Sequence, residues 1–103
     1  KRAVAIVEKN MDNIEFSTDE FAREMNMSRS NLHLKLKAIT GESTIDFIRK
    51  IRFNEAAKLL KDGRYTIAEV STMVGFNTPS YFATSFKKYF GCLPTEYIKK
   101  AKG

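Results

Sequence analysis

The chain has 103 residues, enough for one compact domain, and its 43% hydrophobic and 29% charged content is typical of a globular protein. Its single cysteine and single histidine exclude an internal disulfide and a structural zinc site. No apolar run approaches the ~20 residues that cross a bilayer, and none forms a signal-peptide core. We therefore expect a cytoplasmic domain without cofactor or membrane contact, and the formal charge of +6 predicts a polyanionic partner. Because the chain lacks an initiator Met, we interpret it as a processed chain or, the interpretation we favour, as a domain of a longer protein.

Helical periodicity predicts an all-α fold of about seven helices, because no stretch alternates at period two for long enough to form a sheet. The predicted helices, in chain order, run from Arg2 to Asp12, from Ser17 or Thr18 to Asn26, from the cap Ser28 to Thr40 before Gly41, from Thr44 to Asp62, from the cap Thr66 to Gly75, from Asn77 or Thr78 to Gly91, and from Pro94 onward. This order predicts a first subunit of about residues 1–43, a linking helix of about 44–62 and a second subunit of about 64–101.

An internal repeat relates the two predicted subunits. Glu20 and Glu69 correspond at a separation of 49 residues, whereas the helix-ending Gly41 and Gly91 correspond at 50. One residue is therefore inserted in the turn that joins the paired helices of the second copy. Two unrelated amphipathic pairs would look similar, but the matched stop glycines favour two copies of a helix-turn-helix.

The second helix of each copy has a predicted buried stripe and an opposite outward face. The buried stripes are Leu32, Leu36 and Ile39 in one helix and Phe82, Phe86 and Tyr89 in the other. The outward residues are Ser30, His33, Leu34 and Lys37 in the first helix and Ser80, Ala83, Thr84 and Lys87 in the second. No acidic residue lies within 28–40 or between Glu69 and Glu96. Because phosphates repel carboxylates, two matched acid-free faces predict contact with DNA.

The linking helix fits the same interpretation. A helix from Thr44 to Asp62 is roughly 28 Å long. Successive major grooves on one side of a duplex recur every ~34 Å. We therefore expect a connector of this length to hold two recognition helices near adjacent grooves.

The stretch "TIAEVSTMVGFNTPSYFATSFKKYFGCLPTEY" resembles the second helix-turn-helix of the AraC/XylS family of bacterial transcription regulators. The pairs and triplets Ile-Ala, Val-Gly-Phe, Ser-Tyr-Phe, Phe-Lys-Lys, Phe-Gly and Pro-x-x-Tyr occur in the family's order and spacing. "MSRSNLHLKLKAITGESTIDFIRKIRFNEAAKLL" resembles the first motif with the linking helix. The resemblance covers roughly residues 14–100.

The resemblance implies a transcription regulator that places the second helix of each unit (about 28–40 and 78–90) in the major groove of double-stranded DNA. Transferred to this chain, the implied base-reading residues are Ser30, Asn31, His33, Leu34, Pro79, Ser80, Ala83 and Thr84. The implied phosphate contacts are Arg29, Lys35, Lys37, Thr78, Lys87 and Lys88. Family analogy also implies an upstream sensory or receiver domain and activation through contact with RNA polymerase.

The sequence departs from the family pattern at three positions. Family members often carry long polar or basic residues where Leu34 and Thr84 stand here, and an arginine where Ile98 stands. We therefore expect base readout to depend on thymine-methyl contacts, hydroxyl groups and DNA shape more than on bidentate hydrogen bonds.

Three other functions compete with DNA binding. A helical protein-interaction module is the main alternative, and exposed Leu34 favours it. RNA binding lacks the expected sheet of stacking aromatics. Catalysis would need a nucleophile and a base within reach, and a lone His33 on an outward helix face offers neither, so we predict that the chain is not an enzyme.

Overall fold

The computed structural model describes residues 2–13 and 16–102, and within them the fold is all-helical, as predicted. The seven helices are α1 (Arg2–Lys9), α2 (Thr18–Glu24), α3 (Arg29–Thr40), α4 (Thr44–Asp62), α5 (Ile67–Met73), α6 (Pro79–Phe90) and α7 (Pro94–Lys102). Residue 14, where the family resemblance begins, lies outside the described residues. Within the described ranges, no helix has both the length and the apolar content to span a membrane.

The predicted helix ends are correct where a capping residue was recognised. Ser28 and Gly41 bound α3, and α4 has the predicted range. Of the two predicted caps of α6, Thr78 is the one used, and Gly91 ends that helix. Three helices are shorter than predicted. The second ends at Glu24 rather than near Asn26, because the chain turns at Met25 and Asn26. The first ends at Lys9, because residues 10–12 turn away from the helix, and α5 ends at Met73, because the chain turns before Gly75.

The described residues form two compact units, one of residues 2–10 and 16–51 and the other of residues 11–13 and 52–102. Each unit has its own hydrophobic core. The buried residues of the first core are Ile6, Val7, Phe16, Phe21, Ala22, Leu32, Leu36, Phe47 and Ile48. Those of the second are Phe53, Ala56, Leu60, Val70, Val74, Phe76, Phe82 and Phe86. The long helix α4 therefore supplies core residues to both units.

The two helix-turn-helix corners have the same backbone hydrogen bonds. In the first unit the Met27 N–H donates to the Ala22 carbonyl (2.9 Å), and in the second the Phe76 N–H donates to the Ser71 carbonyl (2.8 Å). This bond closes a Schellman turn, which satisfies carbonyls at a helix C-terminus. Donors and acceptors are each 49 residues apart, whereas the caps Ser28 and Thr78 are 50 apart. The structure thus confirms the repeat and places the inserted residue between 76 and 78.

The last residue of each predicted buried stripe is exposed, so the prediction is wrong for these two residues. Ile39 is 72% exposed and Tyr89 is 44% exposed, although helical spacing places them on the same side as the buried residues. Both lie in the last turn of their helix. In α3 the core residues end at Leu36, whereas in α6 it is Phe90 of the last turn that packs, partly buried, against the core. Tyr89 still stacks on Phe53, with ring centroids 4.9 Å apart.

Candidate nucleic-acid interface

Helix α3 is fixed in the first unit by its cap and its buried face. The Ser28 hydroxyl oxygen accepts a hydrogen bond from the Asn31 N–H (3.1 Å), which satisfies a free donor of the first turn. Gly41, with a φ of 79°, ends the helix and donates its N–H to the Lys37 carbonyl. Because Leu32 and Leu36 are buried one turn apart, the helix cannot rotate without exposing them. Its opposite face is therefore held towards solvent.

Helix α6 is fixed in the second unit in the same way. The Thr78 hydroxyl oxygen accepts from the Tyr81 N–H (3.1 Å), and Pro79 occupies the first turn, where no N–H is required. Phe82 and Phe86 are fully buried, and both rings lie near the ring of Phe53 on α4 (6.4 and 6.2 Å between centroids). Aromatic packing of this kind sets the outward face of α6.

The sequence-predicted site residues lie on these outward faces. The exposed base-reading candidates are Ser30, Asn31, His33 and Leu34 on α3 and Pro79, Ser80 and Thr84 on α6, and Ala83 is half-buried. The phosphate-contact candidates Arg29, Lys35, Lys37, Thr78, Lys87 and Lys88 are all exposed. Each unit thus brings its own candidates together on one helix.

The electrostatic setting of the two helices differs at one position. Neither α3 nor α6 contains a carboxylate. However, Asp19 of α2 lies beside the start of α3, where its Oδ1 is 3.2 Å from Nε of Arg29. Among residues 2–13 and 16–102, no carboxylate pairs with Lys35, Lys37, Lys87 or Lys88. Arg29 is therefore the one phosphate-contact candidate that already has an anionic neighbour within the described chain.

A groove of about 740 Å³ lies alongside α3 in the first unit, and we call it the first-unit groove. Its lining residues are Thr18, Ser28, Arg29, Ser30, Leu32, His33, Leu34, Ser43, Thr44 and Ile45. Sequence reasoning missed Thr18, Ser43, Thr44 and Ile45 as site residues. Ile45 is 53% exposed. It lies two residues before buried Phe47, so helical spacing places it on a different face of α4, and this large apolar residue outside the buried face could have been recognised as a site residue.

Arg52 of α4 has a structural contact that the sequence did not reveal. Its guanidinium donates to the carbonyls of Gly75 (3.3 Å) and Asn13 (3.0 Å), at the corner of the second helix-turn-helix. Burial lowers the pKa of this guanidinium, which nevertheless stays charged because arginine does not deprotonate in proteins. Lys50, on the same helix, lies 3.7 Å from Glu42. These two basic residues of α4 thus have partners inside the chain.

A family model described as a helix-turn-helix domain matches residues 21–100. A curated relative, histidine kinase P4 of Formosa agariphila, is 40% identical over 97 residues, which are 94% of this chain and 7% of that protein. The chain spans about a third or less of the length of the first curated relatives that it matches.

Solved structures with the same fold extend the likeness over nearly the whole chain. The C-terminal domain of AraT, a response regulator from Geobacillus stearothermophilus, is 32% identical with a TM-score of 0.88, covering 96% of this chain and 82% of that one. A transcriptional regulator of Chromobacterium violaceum, described as containing an AraC-type DNA-binding domain, is 25% identical with a TM-score of 0.86, covering 96% and 88%.

Proposed function

This chain belongs to the AraC-type helix-turn-helix family, as the resemblance predicted, and from that premise we propose that it is the DNA-binding output domain of a bacterial transcription regulator. In this proposal the outward faces of α3 and α6 enter the major groove of double-stranded DNA. The chain acts in the cytoplasm, where bacterial DNA is located.

One observation carries the proposal. Two helices that are equivalent within the repeat both present exposed lysines and small polar side chains, and neither carries a carboxylate. A surface that approaches phosphates needs cations and donors and must exclude anions. A face that merely needs to be solvated would have no reason to exclude acids twice at equivalent positions.

The two classes of candidate residue have different roles in this proposal. Lys35, Lys37, Lys87 and Lys88 contact phosphates and supply affinity without sequence preference, and Arg29 joins them when it leaves Asp19. The Thr78 hydroxyl can donate to a phosphate while its oxygen caps α6. The residues at the centre of each outward face, with Ser30, His33 and Leu34 on α3 and Ser80 and Thr84 on α6, contact base edges.

We propose further that both units bind one duplex, with boundaries near residues 43 and 64 and α4 as the connector. The length of α4, 19 residues or roughly 28 Å, is close to the ~34 Å repeat of the major groove. Footprinting on a selected sequence tests this point. Two protected major-groove segments are expected, and a single segment would show that only one unit binds.

The rest of the protein also enters as a proposal. The match to a response-regulator domain favours an upstream receiver or sensory portion, and contact with RNA polymerase would give activation. We assign no catalytic activity to this domain. The kinase name belongs to a relative of which this chain matches only 7% of the length. In addition, neither α3 nor α6 places a nucleophile and a base together for catalysis.

The salt dependence of DNA binding tests the proposed function. Lys87→Ala should weaken binding to all duplexes and reduce the slope of log affinity against log salt by about 1, because one counterion fewer is released. The matched control is Lys58→Ala, which removes an exposed lysine from α4 instead. Fluorescence anisotropy with labelled duplexes at several salt concentrations gives both slopes.

The same measurement separates DNA binding from the protein-interaction alternative. If this domain only docks proteins, it should bind no duplex tightly at moderate salt, and no sequence should emerge from a random pool. An equal change in slope for Lys87→Ala and Lys58→Ala would remove Lys87 from the proposed interface.

A further inference from the structure

The outward face of α3 is apolar at its centre. Leu34 is 65% exposed, on the side of the helix opposite buried Leu32 and Leu36. Ile45, which begins a different helix, is 53% exposed and lines the same first-unit groove as Leu34. Two large apolar side chains from two helices therefore line one groove. Because their contact with water is unfavourable, a ligand that covers them would gain free energy.

The surroundings of this apolar wall indicate what it binds. Ser30 and His33 line the groove and can donate hydrogen bonds, Arg29 also lines it, and no carboxylate does. The nearby carboxylate of Asp19 is paired with Arg29. An apolar surface beside hydrogen-bond donors complements a thymine in the major groove, which presents a methyl group next to the O4 acceptor.

We propose that Leu34, supported by Ile45, recognises thymine 5-methyl groups and makes the first unit select sites that carry thymine. This inference rests on the proposed function, since it specifies the base that α3 reads. A protein partner would fit the two apolar side chains as well, but the hydrogen-bond donors Ser30 and His33 beside them, on a helix without carboxylates, favour a base edge.

The second unit provides the internal contrast. Thr84 occupies the position 50 residues after Leu34, and its hydroxyl donates to the Ser80 carbonyl (3.0 Å). That side chain is small and partly polar, and no residue of α7 matches Ile45, because Thr95 stands at the equivalent position. Methyl recognition by a large apolar wall is therefore a property of the first unit.

Removal of thymine methyl groups from the DNA tests the proposal directly. A duplex is first selected from a random pool with this chain, and it is then resynthesised with deoxyuridine in place of thymidine, one position at a time. The unmodified chain should lose about fourfold in affinity for each methyl group that Leu34 covers. With Leu34→Ala, the same positions should become insensitive to deoxyuridine.

Matched variants exclude indirect effects. Ile39→Ala removes an equally exposed apolar side chain from the same helix but from outside the groove, and it should keep the full deoxyuridine effect. Ile45→Ala should reduce that effect in part. Circular dichroism should be unchanged in all three variants, because the altered side chains are exposed.

Two results would overturn the proposal while DNA binding itself remained. In the first, deoxyuridine has no effect at any position in the unmodified chain. In the second, Leu34→Ala keeps the same sensitive positions, which would assign the methyl contacts to other residues. If no duplex is selected at all, the proposed function fails first, and this inference fails with it.

Discussion

The two helix-turn-helix units share one backbone design but differ in how tightly their corner is packed. In both units the residue just before the N–H donor of the Schellman turn has a positive φ, which is 58° at Asn26 and 83° at Gly75. In both, an arginine donates to a carbonyl of the corner, from Arg2 to Glu24 (3.1 Å) and from Arg52 to Gly75 (3.3 Å). The first bond is exposed, whereas the second is partly buried.

This difference shows that a repeat can keep its hydrogen bonds while the demands on its side chains diverge. Asn tolerates a left-handed conformation because its short polar side chain bonds locally, so an exposed corner can use it. A Cβ atom at Gly75 would lie 2.6 Å from the Met11 carbonyl oxygen and 2.9 Å from Cζ of Arg52. The second corner therefore needs glycine for space as well as for its φ.

The largest expected effect comes from adding one methyl group at the packed corner. Gly75→Ala should destabilise the second unit by about 3 kcal/mol. The left-handed backbone strain contributes about 1–2 kcal/mol of this loss, and overpacking of the new methyl group contributes about 1–3 kcal/mol. Asn26→Ala, the matched change at the exposed corner, should cost about 1 kcal/mol, because only strain is added. Urea unfolding followed by circular dichroism measures both. Equal losses would contradict the packing difference.

Replacement of the corner arginine should likewise destabilise the second unit more than the first. Arg52→Met leaves the carbonyls of Gly75 and Asn13 without this donor in a partly buried setting, and we expect a loss of about 2 kcal/mol in the free energy of unfolding. Arg2→Met removes an exposed bond, which water replaces, and should cost less than about 0.5 kcal/mol. A loss at Arg2 as large as that at Arg52 would mean that burial does not decide the strength of this contact.

These contacts mark the limit of what the sequence could predict. Caps such as Ser28 and Thr66 and stop residues such as Gly41 act through neighbours in the chain, so their positions were predicted correctly. Helical periodicity also oriented α3 and α6, but it could not show where a core ends, and Ile39 was therefore misplaced.

Contacts between distant residues were not predictable from periodicity. Arg52 reaches Asn13 across 39 residues of chain, and Ile45 joins the groove beside Leu34 through the packing of α4 in the first unit. The Arg29–Asp19 pair likewise depends on the corner that brings α3 against α2. The outward candidates could thus be named from the sequence, whereas the residues around them required the structure.

The two outward faces should differ in the specificity that each supplies. Ser80→Ala and Thr84→Ala should each change sequence preference at one position by about fivefold, close to 1 kcal/mol, and alter nonspecific affinity less. A hydroxyl lost from α6 removes a hydrogen bond to a base edge but no charge. Selection from a random pool with each variant measures the preference. If both variants keep the original preference, α6 does not read bases through these residues.

The smallest expected effect concerns the acid that only the first unit has. Asp19→Asn should release Arg29 for phosphate contact and raise affinity two- to threefold at low salt, with a slope steeper by up to about 1. Glu8→Gln, which removes an exposed acid from α1, is the charge-matched control. The second unit has Ala68 at the position equivalent to Asp19, so it has no acid there to compete with phosphates. If Asp19→Asn and Glu8→Gln gave the same change, net charge alone would account for it, and the Arg29–Asp19 pair would have no specific role at the interface.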